Sequence, residues 1–373
     1  MLKIVYAHDG NSIYDLIFLS HLTKKHEVYF LTFNPKPTFT PKNMKIVVIP
    51  QPTLNTKTLT EGFWKYALTP IRLELFKAYL KKLNPDVLIG CWIETYGFYS
   101  AYSGFKPFIL FVWGSDVMVM PKKYPFLNPI VRYTIRKADL ILVDSMVQEK
   151  EVVRFGGSPK KVLRFPWVNL EEFYGGGFRE NIRKSLGWEE NHIIISLRNH
   201  KPIYNVENLI EAIPLIIKKD PKARFLIAGE GKQTEMLKAK TEKLGVKEYV
   251  KFLGKIRHRD VAKYLEASDI YVSTSLSDGT SASLLEAMAL SLPVVVTDIP
   301  GNREWVKNGW NGFLFPAKNP EKLAEKVVVL AKDKKLREKI GLNALKTVRS
   351  RVNWTKNMEK LENQLKNLAE AKH

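Results

Sequence analysis

Glu286 is the residue of this chain that folding alone explains least. It stands in the run Leu284-Leu285-Glu286-Ala287-Met288-Ala289-Leu290. A carboxylate in so apolar a helix costs several kcal/mol unless it is paired or hydrogen-bonded. Two partners satisfy it: the vicinal hydroxyls of a ribose, or a lysine or arginine in a buried ion pair. Just upstream, the turn Asp278-Gly279-Thr280-Ser281 separates a strand pattern ending near Ser273 from the helix that carries Glu286. The free amides in the first turn of such a helix point out of its end, and Gly279 lets backbone approach a ligand closely. That combination suits an anion such as a diphosphate. Other chemistries find less support. The histidines His8, His21, His26, His192, His200, His258 and His373 form no His-x3-His pair, and Asp-x-Asp is absent, so no metal-ligand spacing occurs. Cys91 is the single cysteine, which excludes an internal disulfide or a thiolate cluster, and it reads as packing. The segment His8-Asp9-Gly10-Asn11-Ser12 follows the first strand. Gly10 is placed to approach a diphosphate, while His8 reads equally well as a loop histidine.

The elements that must position these residues alternate along the whole chain. Leu2–Ala7, His26–Phe33, Ile46–Ile49, Asp86–Ile89, Phe108–Trp113 and Leu140–Val143 read as strands, with helices at Ile13–Thr23, Phe63–Leu83, Pro129–Lys137 and Ser145–Phe155. Near-continuous apolar strands between amphipathic helices imply a parallel sheet covered on both faces. The pattern breaks at Pro166–Gly177, where Gly175-Gly176-Gly177 predicts a flexible linker. It then restarts, with strands at His192–Leu197, Ala223–Ala228, Val250–Leu253, Asp269–Ser273, Pro293–Thr297 and Gly312–Phe315. Helices are expected between them at Val206–Lys219, Gln233–Lys243, Arg259–Glu266, Ser283–Leu290 and Pro320–Ala331. The predicted fold class is α/β, two tandem Rossmann-like, doubly wound domains, 1–168 and 169–353, with ligands expected beyond the carboxyl ends of the strands, in the cleft between the domains.

Composition narrows the partners. The 373 residues carry a net charge of +21, and 45% are hydrophobic, which excludes a disordered chain. The basic excess is spread: 23 basic against 12 acidic residues up to position 170, and 36 against 26 beyond it. With no basic arm and no Cys/His finger, nucleic acid is set aside as the main partner in favour of phosphorylated ligands or an anionic membrane surface. Tyr124-Pro125-Phe126-Leu127, followed by Arg132, Arg136 and Lys137, fits such a surface or an ordinary half-buried helix. No apolar stretch is long enough to span a bilayer, and the first residues read as a strand, not a signal peptide. The expected location is the cytoplasm, with peripheral attachment to the inner membrane face as an option.

Asp278, seven residues and then Glu286 resemble the Glu-x7-Glu signature of retaining glycosyltransferases. Phe225-Leu226-Ile227-Ala228-Gly229-Glu230-Gly231, Val250-Lys251-Phe252-Leu253-Gly254, Ala267-Ser268-Asp269, Leu284–Ala289, Leu292–Thr297, Pro300–Glu304 and Asn308–Leu314 continue the pattern in order. The series is similar to glycosyltransferase family 4, closely over residues 190–320. Over the N-terminal half it is looser, through Asn84–Val87, Trp113-Gly114-Ser115-Asp116, Ala138–Ile141 and Phe165–Phe173.

The resemblance implies a GT-B fold and transfer of a sugar, with retention, from a UDP- or GDP-sugar to a glycan or lipid-linked hydroxyl. It implies no cofactor and no metal, the diphosphate being neutralised by an arginine and a lysine. Glu286 would hold the ribose and Asp278 the transferred sugar, though Asp stands where Glu is usual and reaches one methylene less far. Gly279, Thr280 and Ser281 would cradle the diphosphate or sugar, and the backbone at Lys255-Ile256 the base. Arg198 fits the arginine role. Tyr204-Asn205 stands where the family's Lys-Gly is expected, leaving Lys201, from an earlier loop position, as the candidate lysine. Trp113 stands where a sugar-contacting histidine is common, and Gly90-Cys91 where a histidine pair is common. An indole there can stack on a sugar and donate one N–H. Asp116 would face the acceptor or cap the following turn. The last helix, 354–373, would pack back on the N-terminal, acceptor-binding domain. Two other functions stay open: a nucleotide-sugar epimerase of the same fold, and a basic nucleotide-binding module without catalysis.

Overall fold

The structure, a computed structural model, describes residues 1–10, 12–37, 43–50, 69–171, 173 and 176–372. The chain divides into two compact units, Met1–Trp167 with Thr355–His373, and Val168–Trp354.

The first unit is built on a seven-stranded parallel sheet. Its strands are β1 (Lys3–Ala7), β2 (Glu27–Thr32), β3 (Met44–Val48), β4 (Val87–Cys91), β5 (Phe108–Phe111), β6 (Leu140–Val143) and β7 (Val162–Arg164). They lie in the order β3-β2-β1-β4-β5-β6-β7. Every residue of β4, β5 and β6 is buried, which is why these strands read as unbroken apolar runs and not as an alternation. The strand order reverses between β1 and β4, so the carboxyl ends of these two strands open a crevice. The helix expected over Phe63–Leu83 runs Thr69–Leu83, its earlier residues lying outside those described, and buries Leu73, Phe76 and Leu80 in the core.

The second unit has six parallel strands: β8 (His192–Leu197), β9 (Ala223–Ala228), β10 (Val250–Gly254), β11 (Ile270–Ser273), β12 (Val294–Thr297) and β13 (Phe313–Phe315). Their order, β10-β9-β8-β11-β12-β13, reverses between β8 and β11. Leu209, Ile213 and Ile216 of the helix Val206–Lys219 share the core with Leu323 and Val327 of the helix Pro320–Lys332. The helix Ala282–Ala289 is buried at all of its positions, Glu286 included.

Two helices of this unit longer than six residues were not expected from the sequence. Lys334–Arg351 is one. The other, Arg179–Leu186, is held by charge: Asp269 pairs with Arg183 at 2.5 Å and Arg179 at 2.6 Å and accepts from the Ile193 amide at 2.8 Å. Burial raises the Asp269 pKa, but the two arginines and the amide outweigh it and the net shift is downward. Of the segment expected to be a flexible linker, residues 172, 174 and 175 lie outside the described residues, and its described ends make contacts. Trp167 packs among Phe18, Phe111 and Phe165, and the Gly176 and Phe178 amides donate to the Glu266 carboxylate.

The last helix, Trp354–Glu370, packs on the first unit. Glu362 accepts from His26 Nε2 at 2.6 Å and lies 3.5 Å from His21, and Lys372 reaches the Pro85 carbonyl at 2.9 Å.

Candidate functional site

The best-furnished constellation lies at the carboxyl ends of β8 and β11. β8 delivers Arg198, whose side chain is buried. The turn after β9 packs against the backbone there: Gly229 has φ +114°, and a Cβ on it would fall 2.3 Å from the Arg198 carbonyl oxygen, so only glycine allows the approach. The Arg198 guanidinium donates to Ser281 Oγ at 2.6 Å and pairs with Asp278 Oδ2 at 2.5 Å. Its Cζ lies 4.1 Å from the centre of the Tyr204 ring, a cation–π contact. Ser281 precedes the helix Ala282–Ala289 but does not cap it with its side chain; its hydroxyl serves Arg198 instead. The result is a fixed positive charge beside the amino end of a buried helix, where the helix dipole also favours negative charge.

The neighbouring turn is tightly built. Gly301 comes so close that a Cβ would lie 2.3 Å from the carbonyl oxygens of both Asp278 and Gly279. Thr280 Oγ1 accepts from the Trp305 indole at 3.2 Å. Further along the helix, Glu286 is 3% exposed. Among the described residues its partner is neither lysine nor arginine but His258, whose Nε2 lies 3.0 Å from Oε1. An ionised carboxylate can only accept, so His258 Nε2–H donates. The His258 ring in turn takes the Phe173 ring edge-on at 5.4 Å. Lys255 and Ile256 follow β10; the Lys255 amide donates to Glu230 Oε1 at 3.2 Å, which joins this stretch to the turn after β9.

Lys201 is exposed, and its backbone amide donates to the Asn199 carbonyl at 2.8 Å. Asn205, where a glycine was expected, adopts φ +45°, the left-handed conformation that asparagine tolerates better than other side chains. The Tyr204 ring lies against the Arg198 guanidinium.

Gly10, Trp113 and Asp116 belong to the other unit, at the carboxyl ends of β1 and β5. Gly10 has φ +73°, and a side chain there would strike Pro37 and Phe30. The faces of Trp113 meet protein: its ring stacks on His8, with centroids 4.7 Å apart, and on Phe111 at 5.3 Å. Asp116 is fully buried, and its carboxylate accepts from the amides of Trp113 at 3.1 Å and Ile93 at 3.2 Å, stitching the end of β5 to that of β4. Burial pushes its pKa up to about 6 although these amides pull the other way.

His8, Asp15 and Cys91 form a buried cluster that the sequence did not reveal. Asp15 accepts from Tyr6 Oη at 2.5 Å and from His8 Nδ1 at 2.7 Å. Ligand atoms around a tetrahedral zinc sit about 3.3 Å apart or more. The direct His8–Asp15 contact is therefore a hydrogen bond with no room for an ion between the two atoms.

The residues brought into direct contact are Arg198, Asp278 and Ser281, with Gly279, Thr280 and Glu286 on the same turn and helix. Sequence reasoning missed His258, Ser283 and the Tyr204 stack. Ser283 Oγ lies 3.4 Å from Arg198 and 2.8 Å from Tyr271 Oη.

Comparison with known proteins fits this geometry. Residues 178–347 match the family described as glycosyl transferases group 1, and residues 3–145 match glycosyl transferase 4-like. The chain belongs to this glycosyltransferase family. A putative glycosyltransferase, EpsD of Bacillus subtilis, is 28% identical over 240 residues, covering 61% of this chain and 61% of that protein. The N-acetyl-alpha-D-glucosaminyl L-malate synthase of Bacillus anthracis is 26% identical over 63% of this chain and 61% of its own length. The chain thus spans about three-fifths of these relatives. Among solved structures, Anabaena HepE in complex with UDP-glucose superposes with a TM-score of 0.80 at 18% identity, over 99% of this chain and 100% of that one. Sucrose-phosphate synthase from Thermosynechococcus elongatus gives 0.81 at 17%, over the whole of both chains. These likenesses establish the two parallel-sheet α/β domains of the GT-B fold.

Proposed function

We propose that this chain transfers a sugar from a nucleoside diphosphate sugar to an acceptor hydroxyl. The observation that carries the reading is the pairing of two features on one buried helix: Arg198 fixed at its amino end, and the Glu286 carboxylate beneath the apolar surface. The diphosphate lies against Arg198 and the helix amides, with Lys201 adding charge from the loop, while Glu286 accepts the ribose hydroxyls. The base rests near Lys255 and Ile256, and Asp278 meets the transferred sugar. The first unit takes the acceptor, with Asp116, buried and hydrogen-bonded to the Trp113 and Ile93 amides, framing its crevice and not contacting the ligand.

The reaction is retaining. The bond between the anomeric carbon and the leaving phosphate oxygen breaks, the acceptor oxygen attaches on the same face, and its proton passes to the departing phosphate. Negative charge grows on the nucleoside diphosphate, and Arg198, held in place beforehand, stabilises it. No metal is required for this charge neutralisation. Glycan and lipid-linked hydroxyls are the acceptor classes considered. The second is supported by Phe126, 66% exposed beside Lys122 and Lys123, a combination suited to an anionic membrane surface.

The test is a panel of UDP- and GDP-sugars assayed for release of free nucleotide, with and without glycan and lipid-linked acceptors. The reading predicts acceptor-dependent release that survives EDTA, and a product with the donor's anomeric configuration. Conversion of a donor to its epimer without acceptor, or inversion, contradicts it. Failure to sediment with anionic vesicles at low salt removes the membrane element alone.

A further inference from the structure

The His258–Glu286 hydrogen bond joins the start of the helix His258–Ala267 to the buried helix Ala282–Ala289. Glu286 is buried in an apolar helix, and a glutamate side chain has several rotatable bonds. Left alone, it would enter complex formation in several orientations, and the need to order it would weaken binding. His258 removes that penalty. It opens the helix His258–Ala267, directly after the loop that follows β10, and its Nε2 lies 3.0 Å from Oε1. Phe173 sets its ring edge-on. One carboxylate oxygen is thus fixed by the protein, which fixes the plane of the group and the direction of the other oxygen's lone pairs.

We propose that His258 is a positioning residue for ribose recognition: it holds Glu286 oriented so that the carboxylate accepts both ribose hydroxyls of a nucleoside diphosphate and discriminates against 2′-deoxyribose. This rests on the ribose reading of Glu286 and goes beyond it in assigning the source of the sugar selectivity. A site built to accept from a hydroxyl penalises the analogue that lacks it, because a buried acceptor is then left unmatched. The penalty is large only if the carboxylate cannot turn away, and His258 prevents that turn.

The experiment measures calorimetric affinities of UDP and 2′-deoxy-UDP, and of GDP and 2′-deoxy-GDP, for the whole chain. Wild type should favour the ribonucleotide by roughly tenfold or more, the scale of one lost hydrogen bond to a charged group. In His258→Ala that ratio should fall to about twofold or less, with most of the loss on the ribonucleotide side. His258→Gln, which keeps a donor N–H, should restore part of it. A bond that merely satisfies a buried acid would lower the melting temperature of His258→Ala and leave the ratio intact, and that result overturns the proposal. The underlying reading has its own failure: Glu286→Ala retaining the full ratio, or no nucleotide binding to wild type, overturns the ribose assignment itself.

Discussion

The two units present the same topological feature, a crevice where the strand order reverses, and furnish it in opposite ways. In the first unit the acids Asp15 and Asp116 are fully buried and fully engaged within the protein. Asp15 holds Tyr6 and His8, and Asp116 holds two backbone amides. In the second unit Asp278 and Glu286 face cationic or donor side chains, Arg198 and His258, which a diphosphate and a ribose can also engage. Internal satisfaction makes the first crevice a rigid frame. On the proposed function, the second is a place where an anionic, hydroxylated ligand replaces or extends existing contacts. Cys91 belongs to the frame: burial pushes its thiol pKa well up, so it is not a nucleophile.

Arg198→Ala should break the second crevice most severely. Loss of a fixed cation at a developing phosphate charge is expected to slow transfer by about 10³-fold, with Arg198→Lys recovering part of it, as read by initial rates. If both variants transfer at the wild-type rate, the diphosphate lies elsewhere. Asp15→Ala should act in the opposite sense. It leaves Tyr6 and His8 without their buried acceptor and should lower the unfolding free energy by about 3 kcal/mol, leaving nucleotide affinity within twofold. A strong effect on nucleotide affinity would erase the distinction drawn between the two regions.

Glu362 extends the comparison to the helix that closes the first unit. Burial raises its pKa, but the hydrogen bond from His26 and the nearby His21 outweigh burial and bring it down to about 2. It ionises at lower pH in the folded protein than in the unfolded chain. The stability it adds is therefore complete above pH ~4.5 and drains away as the pH falls towards 2. Glu362→Gln should cost about 2 kcal/mol at pH 7, with the difference from wild type vanishing at the acid end of a denaturation series. A difference independent of pH would assign the cost to packing. The smallest effect is expected from Lys201→Ala. An exposed lysine adds charge to the diphosphate without a fixed geometry, so nucleotide affinity should fall by about threefold. A loss as large as that of Arg198→Ala would show that the loop closes on the ligand.

Much of this was legible in the residues, for identifiable reasons. Leu140–Val143 and His192–Leu197 were readable to the residue because both faces of a central parallel strand are buried, and a short apolar run between two helical patterns fits such a strand and little else. The oddity of Glu286 was legible because the helix around it is apolar throughout. Its partner was not: His258 lies 28 residues away, and no local pattern encodes that contact. The helix Arg179–Leu186 escaped notice because Arg183 and Asp269, not an apolar stripe, hold it. Asp15 lies in the first turn of a helix, a position where exposed acids are common, so the sequence did not single it out. Its burial follows from Tyr6 and His8 on the adjacent strand end, a tertiary fact.

The central claim is that the second unit's crevice, through Glu286, is the nucleotide site. Calorimetric titration of UDP and GDP into wild type and Glu286→Ala, with melting curves showing both folded, tests it most directly. The account predicts binding of at least one nucleotide to wild type and a loss of about 30-fold or more in the variant. Equal affinity in the two proteins would contradict it.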